Sequence, residues 1–104
     1  MALFTNVDID KEANIYFDGK VTSRTIIFPD GTKKTLGIMQ PGEYEFGTEQ
    51  TEVMEVSSGK LKVLLDGDVN WKTVSRGMFF EVAANSKFKL QVSEITDYCC
   101  SYLD

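Results

Sequence analysis

The side chains that could carry out chemistry in this chain include no histidine. A catalytic triad with histidine, a His-ligated zinc or iron ion, and a His general base are therefore excluded. Any reaction has to depend on carboxylates, lysine or arginine, tyrosine, serine or threonine, cysteine, or backbone groups. The chain is thus limited to mechanisms that need no imidazole.

Glu52 is a carboxylate whose position favours a functional role. It shares strand parity with Met54 and Val56, which predicts that it lies at the mouth of a largely apolar face. An ionised carboxylate is costly there unless a partner stabilises it, so a role in a site is one interpretation. A structural hydrogen bond to the backbone or to a tyrosine is the other.

The two cysteines, Cys99 and Cys100, are adjacent in the sequence. Such a pair closes almost no loop and forms no C-x-x-C motif, so neither a disulfide scaffold nor a cysteine metal site is indicated. Cys100 shares one face of the last predicted strand with Tyr98 and Tyr102, and no neighbour that would lower the pKa of its thiol is evident. We predict that Cys100 is a buried small residue and that the chain is reduced and cytoplasmic.

The composition is that of one folded globular domain. The chain has 104 residues, of which 42% are hydrophobic, and a formal net charge of −5. An acidic chain lacks the basic footprint of a nucleic-acid-binding protein. The sequence also shows neither a signal peptide nor an apolar stretch long enough for a membrane helix. We expect no nucleic acid and no membrane among its partners.

The elements that must position these residues are short strands, separated by turn signals at the spacing typical of all-β proteins. Turn residues such as Pro29-Asp30-Gly31 and Ser58-Gly59 lie between them. Only residues 8–14 offer a plausible helical turn. The predicted strands are residues 14–21, 22–28, 33–39, 43–46, 52–57, 60–65, 71–75, 78–82, 87–92 and 96–103.

Alternation along the strands predicts how they pack. Leu61, Val63 and Leu65 share one face of their strand, and the lysines between them point the other way. One dry and one solvated face indicate antiparallel sheets. The predicted fold is all-β: one barrel of two antiparallel sheets, with residues 1–13 as an N-terminal arm and residues 14–104 as a single domain.

Two motifs carry a first resemblance. They are Gly42-x-Tyr44-x-Phe46-x-Thr48-x3-Glu52-x6-Gly59, and Arg76-Gly77-Met78-Phe79-Phe80-Glu81-Val82 followed by Asn85 and Phe88. They resemble the motifs of the cupin superfamily, small β-barrels with a jelly-roll arrangement. Metal-binding cupins place histidines where this chain has Phe46 and Thr48, and Asn85 or Ser86 stands near the third histidine position. We therefore expect no bound metal and no cofactor.

A second set of segments covers residues 14–103. They are Tyr16-Phe17-x-Gly19-Lys20-Val21, Thr35-x-Gly37, Pro41-Gly42-Glu43-Tyr44, Glu52-x-Met54, Ser58-Gly59, Trp71, Phe88-x-Leu90-Gln91-Val92 and Tyr98-x-Cys100-x-Tyr102-Leu103. In this order they resemble one family of small single-domain cupins, the bacterial pyrimidine/purine nucleoside phosphorylases.

The resemblance implies a cytoplasmic homodimer that splits purine and pyrimidine nucleosides with inorganic phosphate, giving the free base and ribose 1-phosphate with broad base specificity. Phosphate is already anionic at neutral pH, so this reaction needs no histidine base. Catalysis reduces to holding phosphate against C1′, stabilising an oxocarbenium-like sugar and hydrogen-bonding the departing base. Apolar residues near the termini, such as Leu3, Phe4 and Ile15, are the expected dimer contacts.

This interpretation gives several residues a role toward the nucleoside. Glu52 is the expected catalytic carboxylate and would grip the ribose hydroxyls. Tyr44 and Phe46 form either a wall that stacks on the base or part of the core. Gln91 and Tyr98 are further candidates for substrate binding, although Gln91 alternates with lysines and could instead face solvent.

Lys20 and Ser23 are the expected phosphate ligands. Because Lys20 alternates with Val21, it could instead be a solvated charge at a strand edge. The other basic candidates lie near turns, where a surface role is the default: Arg24, Lys33, Lys34 and Arg76.

Two other classes of function remain open at this stage. One is a non-catalytic cupin that binds a small molecule such as a nucleoside or a sugar phosphate. The other is a purely structural dimeric barrel. Phosphate-dependent release of uracil from uridine distinguishes the enzyme from both.

Overall fold

The computed structural model describes residues 2–103, and most of them lie in β-strands. The strands are β1 (Asp8–Ile9), β2 (Asn14–Tyr16), β3 (Val21–Ile27), β4 (Lys33–Met39), β5 (Gly42–Gly47), β6 (Thr51–Leu65), β7 (Lys72–Ser75), β8 (Phe79–Val82) and β9 (Lys87–Leu103). The predicted all-β class is confirmed. Residues 8–14, the one segment where the sequence made a helical turn plausible, form none, because β1 and β2 pair with β3 there. A 3-10 turn lies at Phe17–Gly19 instead.

Hydrogen bonds join the strands into one antiparallel sheet. Its main order is β1-β3-β4-β9-β6-β7, while β2 pairs with β3, β5 with β9 and β8 with β6. In the described part of the chain this sheet is not closed into a barrel. The two layers expected of a cupin arise because β6 and β9 are long and take different partners along their length.

These two strands divide the sheet into a first half and a second half. The first half contains β1 to β4, β8, residues 51–57 of β6 and residues 96–103 of β9. The second half contains β5, β7, residues 60–65 of β6 and residues 87–92 of β9. Each half therefore has one inner face toward the other half and one outer face.

A β-bulge separates the halves within β6. The pairing register shifts between Val56 and Leu61, and Gly59 has a φ of +92°, which a residue with a side chain adopts only with strain. The predicted turn at Ser58-Gly59 is thus a bulge inside one strand, and β9 likewise runs on through the predicted break after residue 92. Bulges bend a strand, which allows the halves to fold over each other.

The core lies between the two inner faces. The ring of Phe80, from the first half, lies 6.0 Å from the ring of Phe88, from the second. Leu61, Val63 and Leu90 are almost completely buried in the second half. The inner face of the first half also buries polar side chains, which marks the place where a site can form.

The segment before β2 lies against the first half. Phe4 meets Phe28 edge to face, with ring centres 5.1 Å apart, and Lys34 Nζ lies 5.5 Å from the centre of the Phe4 ring. Among residues 2–103 there is no helix with the length and apolar character needed to cross a membrane.

Candidate active site

A cavity of about 150 Å³ lies at the polar end of the inner faces. Strands β2, β3, β4, β6 and β9 of the first half form its floor, and β5 and the start of β9 cover it. Its lining residues are Tyr16, Ser23, Thr35, Met39, Phe46, Gly47, Glu52, Met54, Phe88, Tyr98, Cys100 and Tyr102. The cavity is therefore polar on one side and aromatic on the other.

Strand pairing brings the polar groups together. Ser23 on β3 lies opposite Gly37 on β4, and Gly37 lies opposite Tyr98 on β9. A Cβ at Gly37 would contact the Thr22 carbonyl oxygen and the Tyr98 ring, so the absence of a side chain allows the ring to lie over the sheet. The hydroxyls of Ser23 and Tyr98 consequently line the same wall.

The remaining hydroxyls of this wall are fixed by hydrogen bonds. Thr35 Oγ1 and the Tyr102 hydroxyl lie 3.2 Å apart, and Asn14 Nδ2 donates to Ser23 Oγ at 3.2 Å. The Tyr98 hydroxyl donates to the Thr22 carbonyl oxygen at 3.4 Å. Burial raises the pKa of Tyr98 to about 12, so its hydroxyl stays neutral at physiological pH.

Glu52 is the carboxylate of the cavity. It lies opposite Tyr102 on β9 and is half-buried. The thiol of Cys100 donates to Glu52 Oε1 at 3.4 Å. Burial raises the pKa of Glu52, and the hydrogen bond from Cys100 partly offsets this. The sequence left open a structural hydrogen bond between Glu52 and the backbone or a tyrosine. Glu52 does accept a hydrogen bond, but its donor is the thiol of Cys100.

Cys100 is a neutral thiol in this arrangement. Burial raises the pKa of Cys100, and the neighbouring charge of Glu52 raises it further. A nucleophilic cysteine needs the opposite shift. The prediction that Cys100 is buried is confirmed, and its role is to donate a hydrogen bond to the carboxylate.

Aromatic rings form the other wall. Tyr16 and Phe46 meet edge to face with ring centres 6.0 Å apart, and Phe46 stacks on Phe88 at 5.7 Å. Sequence reasoning proposed Phe46 but gave no role to Tyr16, Thr35 or Tyr102. The alternation along the last strand had placed Tyr102 on the same face as Tyr98. This shared face was the feature of the sequence from which a role for Tyr102 could have been predicted.

Three of the residues proposed from the sequence lie away from this cavity. Tyr44 is buried in the core, where its hydroxyl donates to the Gln40 carbonyl oxygen at 2.6 Å. Gln91 lines a groove on the outer face of the second half. Lys20 is exposed directly after the 3-10 turn and does not line the cavity.

The cavity lining contains no lysine or arginine among the described residues. A neighbouring cleft of about 690 Å³ shares Tyr16, Thr35 and Tyr102 with the cavity and contains Lys33. Lys33 has the same strand parity as Thr35 and is therefore on the inner side of β4. The cleft also contains Asp10 and Asp30, and it offers both room and a positive charge beside the polar wall.

The positions where the resemblance to metal-binding cupins would place metal ligands have other roles here. Phe46 belongs to the aromatic wall, and Thr48 Oγ1 donates to the Ala83 carbonyl oxygen at 2.7 Å while it accepts from the Ser86 backbone N–H at 3.0 Å. Within residues 2–103 there is no group of three or more His, Cys, Asp and Glu side chains that could hold a metal ion. The donor set suits organic hydroxyl groups and a flat ring.

Several known proteins with similar sequences carry the same name. A model of the family described as pyrimidine/purine nucleoside phosphorylase matches residues 11–102. A protein of that name from Chlorobium chlorochromatii is 62% identical over 103 residues, covering 99% of each chain. Another of that name, from Hydrogenovibrio crunogenus, is 56% identical over 104 residues, covering 100% of each.

A solved structure is also similar to this chain over almost its whole length. The crystal structure of a protein of unknown function from Acinetobacter sp. ADP1 matches with a TM-score of 0.94 and 37% sequence identity, covering 97% of this chain and 98% of that one. The family model and the named relatives confirm the resemblance seen in the sequence. The chain belongs to the pyrimidine/purine nucleoside phosphorylase family.

Proposed function

We propose that this protein catalyses the phosphorolysis of purine and pyrimidine nucleosides to the free base and ribose 1-phosphate. The observation that carries the proposal is the half-buried Glu52 carboxylate, which faces a cavity with hydroxyl groups on one wall and aromatic rings on the other. A ribose fits the first wall and a nucleobase the second. The family to which the chain belongs supports the same reaction.

In this reaction the bond between C1′ and the base nitrogen breaks, and its electron pair leaves with the base. A phosphate oxygen forms the new bond to C1′. The sugar becomes oxocarbenium-like in between, and the Glu52 carboxylate would stabilise that positive charge. The neutral hydroxyls of Tyr98 and Tyr102 can hydrogen-bond the sugar without competing for the charge.

The aromatic wall would allow broad base specificity. Every nucleobase has a π-face, so stacking on Tyr16 and Phe46 would discriminate little between purines and pyrimidines. A cavity of about 150 Å³ is smaller than most sites for organic ligands. The neighbouring cleft would provide the remaining room for the nucleoside and phosphate.

For phosphate we propose Lys33 as the basic ligand in preference to Lys20, with Ser23 as a hydroxyl donor. Lys33 lies in the cleft that joins the cavity, whereas Lys20 does not line either space. The reaction would require no metal and no cofactor. The buried, unlinked pair Cys99 and Cys100 suits a reducing, cytoplasmic location.

The decisive experiment measures base release from uridine and inosine with and without phosphate, in the presence of a chelator. We expect release of both bases only with phosphate. Glu52→Gln should lower kcat about 100-fold with nearly unchanged nucleoside KM, since the carboxylate acts mainly in the transition state. Glu45→Gln, an exposed carboxylate on β5, is the matched control and should keep full activity.

Each alternative result has a defined meaning. Nucleoside binding without turnover would identify a non-catalytic binding protein, and neither binding nor turnover would leave a structural role. Full activity of a well-folded Glu52→Gln variant would disprove the role of Glu52 while leaving phosphorolysis intact.

The phosphate ligand is tested separately. Lys33→Ala should raise the KM for phosphate about tenfold or more, the range of one charge-assisted hydrogen bond, and should leave the nucleoside KM nearly unchanged. Lys20→Ala is the control of equal charge. A raised KM for phosphate in Lys20→Ala, with an unchanged value in Lys33→Ala, would instead identify Lys20 as the ligand.

A further inference from the structure

Three side chains form the rim between the candidate cavity and the neighbouring cleft. Tyr16, Thr35 and Tyr102 line both spaces. Tyr16 belongs to the aromatic wall, and the other two belong to the polar wall, so the two walls meet at this rim. A nucleoside with its base on the aromatic wall and its ribose on the polar wall would have its glycosidic bond at this place.

Tyr102 also lies beside the carboxylate of the site. It is directly opposite Glu52, on the neighbouring strand β9, and both side chains line the cavity. Side chains at such paired positions are close neighbours on one face of a sheet. With the Glu52 carboxylate at C1′, the Tyr102 hydroxyl would lie next to the first atoms of the base.

Departure of the base creates a need that Glu52 does not meet. The electron pair of the broken bond leaves negative charge on the base, and an ionised carboxylate has no hydrogen to donate to it. Part of this charge is on N3 of a purine or on O2 of a pyrimidine. These two acceptors occupy the same place relative to the glycosidic bond. One hydrogen-bond donor next to C1′ can therefore serve both classes of base.

The two buried tyrosine hydroxyls of the polar wall differ in what their hydrogens do. The hydrogen of Tyr98 is occupied, because this hydroxyl donates to the Thr22 carbonyl oxygen at 3.4 Å. The Tyr102 hydroxyl lies 3.2 Å from Thr35 Oγ1, and either atom can be the donor. When Thr35 donates, the hydrogen of Tyr102 is free to point into the cavity. The hydrogen bond that Tyr102 accepts then strengthens the one that it donates.

We propose that Tyr102 is a catalytic residue that donates a hydrogen bond to the departing base, at N3 of a purine and at O2 of a pyrimidine. This role rests on the proposed phosphorolysis. It would let one site release both classes of base, since stacking holds a base in place but does not stabilise the charge that develops at its edge. The oxygen of Tyr102 can still accept a hydrogen bond from a sugar hydroxyl.

Tyr102 keeps its proton throughout the reaction. The hydrogen phosphate dianion attacks C1′ and forms ribose 1-phosphate that retains the phosphate hydrogen, while the base leaves with the electron pair of the broken bond. Transfer of that hydrogen to the base then gives the neutral base and the ribose 1-phosphate dianion. Burial raises the pKa of Tyr102, so the hydroxyl stays protonated, as the role of a donor requires.

The test compares inosine and uridine with N7-methylinosine in single turnovers of the full chain at saturating phosphate. The methyl group gives the base a positive charge, so this base departs as a neutral molecule and needs no donor. Tyr102→Phe should lower the rate for inosine and uridine about 100-fold, the size of one lost transition-state hydrogen bond, and the rate for N7-methylinosine about threefold at most. Tyr98→Phe is the matched control and should lower all three rates by the same factor.

Thr35→Val provides a second variant, because it removes the partner that orients the Tyr102 hydroxyl. It should lower the inosine rate by a larger factor than the N7-methylinosine rate. Circular dichroism verifies that each variant is folded. Equal losses on all three substrates in Tyr102→Phe, or in Thr35→Val if Tyr102→Phe does not fold, would overturn the role of Tyr102 and leave phosphorolysis intact. A wild type that releases no base in the presence of phosphate would overturn the proposed function as well.

Discussion

The two ends of the space between the inner faces differ in polarity, although the same two long strands line both. At the second-half end, β6 and β9 contribute Leu61, Val63 and Leu90, all nearly inaccessible to solvent. At the first-half end they contribute Glu52 and Tyr98. The change occurs at the bulge around Gly59, where each strand moves from one half of the sheet to the other.

The difference shows how a chain of this size can combine a core with a site. The second-half end, called the dry end below, contributes apolar burial, which is the dominant favourable term in folding. The polar end keeps hydroxyls and a carboxylate that would weaken a core, and it satisfies them through pairs such as Thr35 with Tyr102. Substitutions at the dry end should therefore affect stability first, and those at the polar end should affect chemistry first.

The largest effect on stability should come from the dry end. Leu90→Ala removes a buried side chain at a position where β5 and β6 both flank β9. We expect the free energy of unfolding to fall by about 2–5 kcal/mol, measured by urea denaturation. Lys89→Ala, the exposed neighbour on the outer face, should change it by less than about 0.5 kcal/mol. Similar losses of stability for both variants would contradict the expectation that the buried face of β9 contributes more stability than its outer face.

A smaller loss is expected where the polar wall meets the sheet. Gly37→Ala would bring a methyl group against the Thr22 carbonyl oxygen and the Tyr98 ring. Overpacking of this kind costs about 1–3 kcal/mol. Because Tyr98 must move, the activity of Gly37→Ala should fall as well. The Leu90→Ala variant, by contrast, should keep its activity at temperatures where it is folded. Unfolding curves and kinetic assays on the same samples measure both effects, and unchanged activity would exclude the predicted shift of Tyr98.

The hydrogen bond between Thr35 and Tyr102 should contribute less. Thr35→Val keeps the shape and removes the hydroxyl, so the free energy of unfolding should fall by about 1 kcal/mol. Thr73→Val, exposed on β7, is the control of the same chemistry and should be nearly neutral. Denaturation of both variants measures the difference, and equal effects would mean that the bond contributes no stability.

The smallest effect is the pH dependence due to Glu52. Burial raises the folded-state pKa of Glu52, so the folded protein binds its proton more tightly than the unfolded chain does. This stabilisation is fully present below the unfolded pKa and is lost as the pH rises through the folded value. It should be modest, because the side chain is half-exposed and water screens its charge.

Comparison with Glu52→Gln isolates this effect. The stability of the wild type relative to the variant should decrease as the pH rises from the unfolded pKa toward neutrality. Thermal unfolding of both proteins across this range measures it. A relative stability that increases with pH would show that the carboxylate is stabilised in the fold.

Local features of the sequence were enough for the fold class and for which face most strands bury. Strand β4 has the predicted limits, residues 33–39, because a turn at Pro29-Asp30-Gly31 precedes it and Pro41 follows it. Parity placed Tyr98, Cys100 and Tyr102 on one face, and the three line the cavity together. The absence of histidine, a property of the composition alone, excluded whole classes of mechanism.

The tertiary structure decided what alternation could not. Tyr44 and Phe46 share a face of β5, but Tyr44 is held in the core by its hydrogen bond to Gln40, whereas Phe46 lines the cavity. Their environments differ because they lie at different positions along the folded sheet. Ser58-Gly59 reads as a turn but forms a bulge, since pairing with β9 continues on both sides. Parity reports the face of a strand, whereas which strands meet across the fold depends on pairings between residues far apart in the chain.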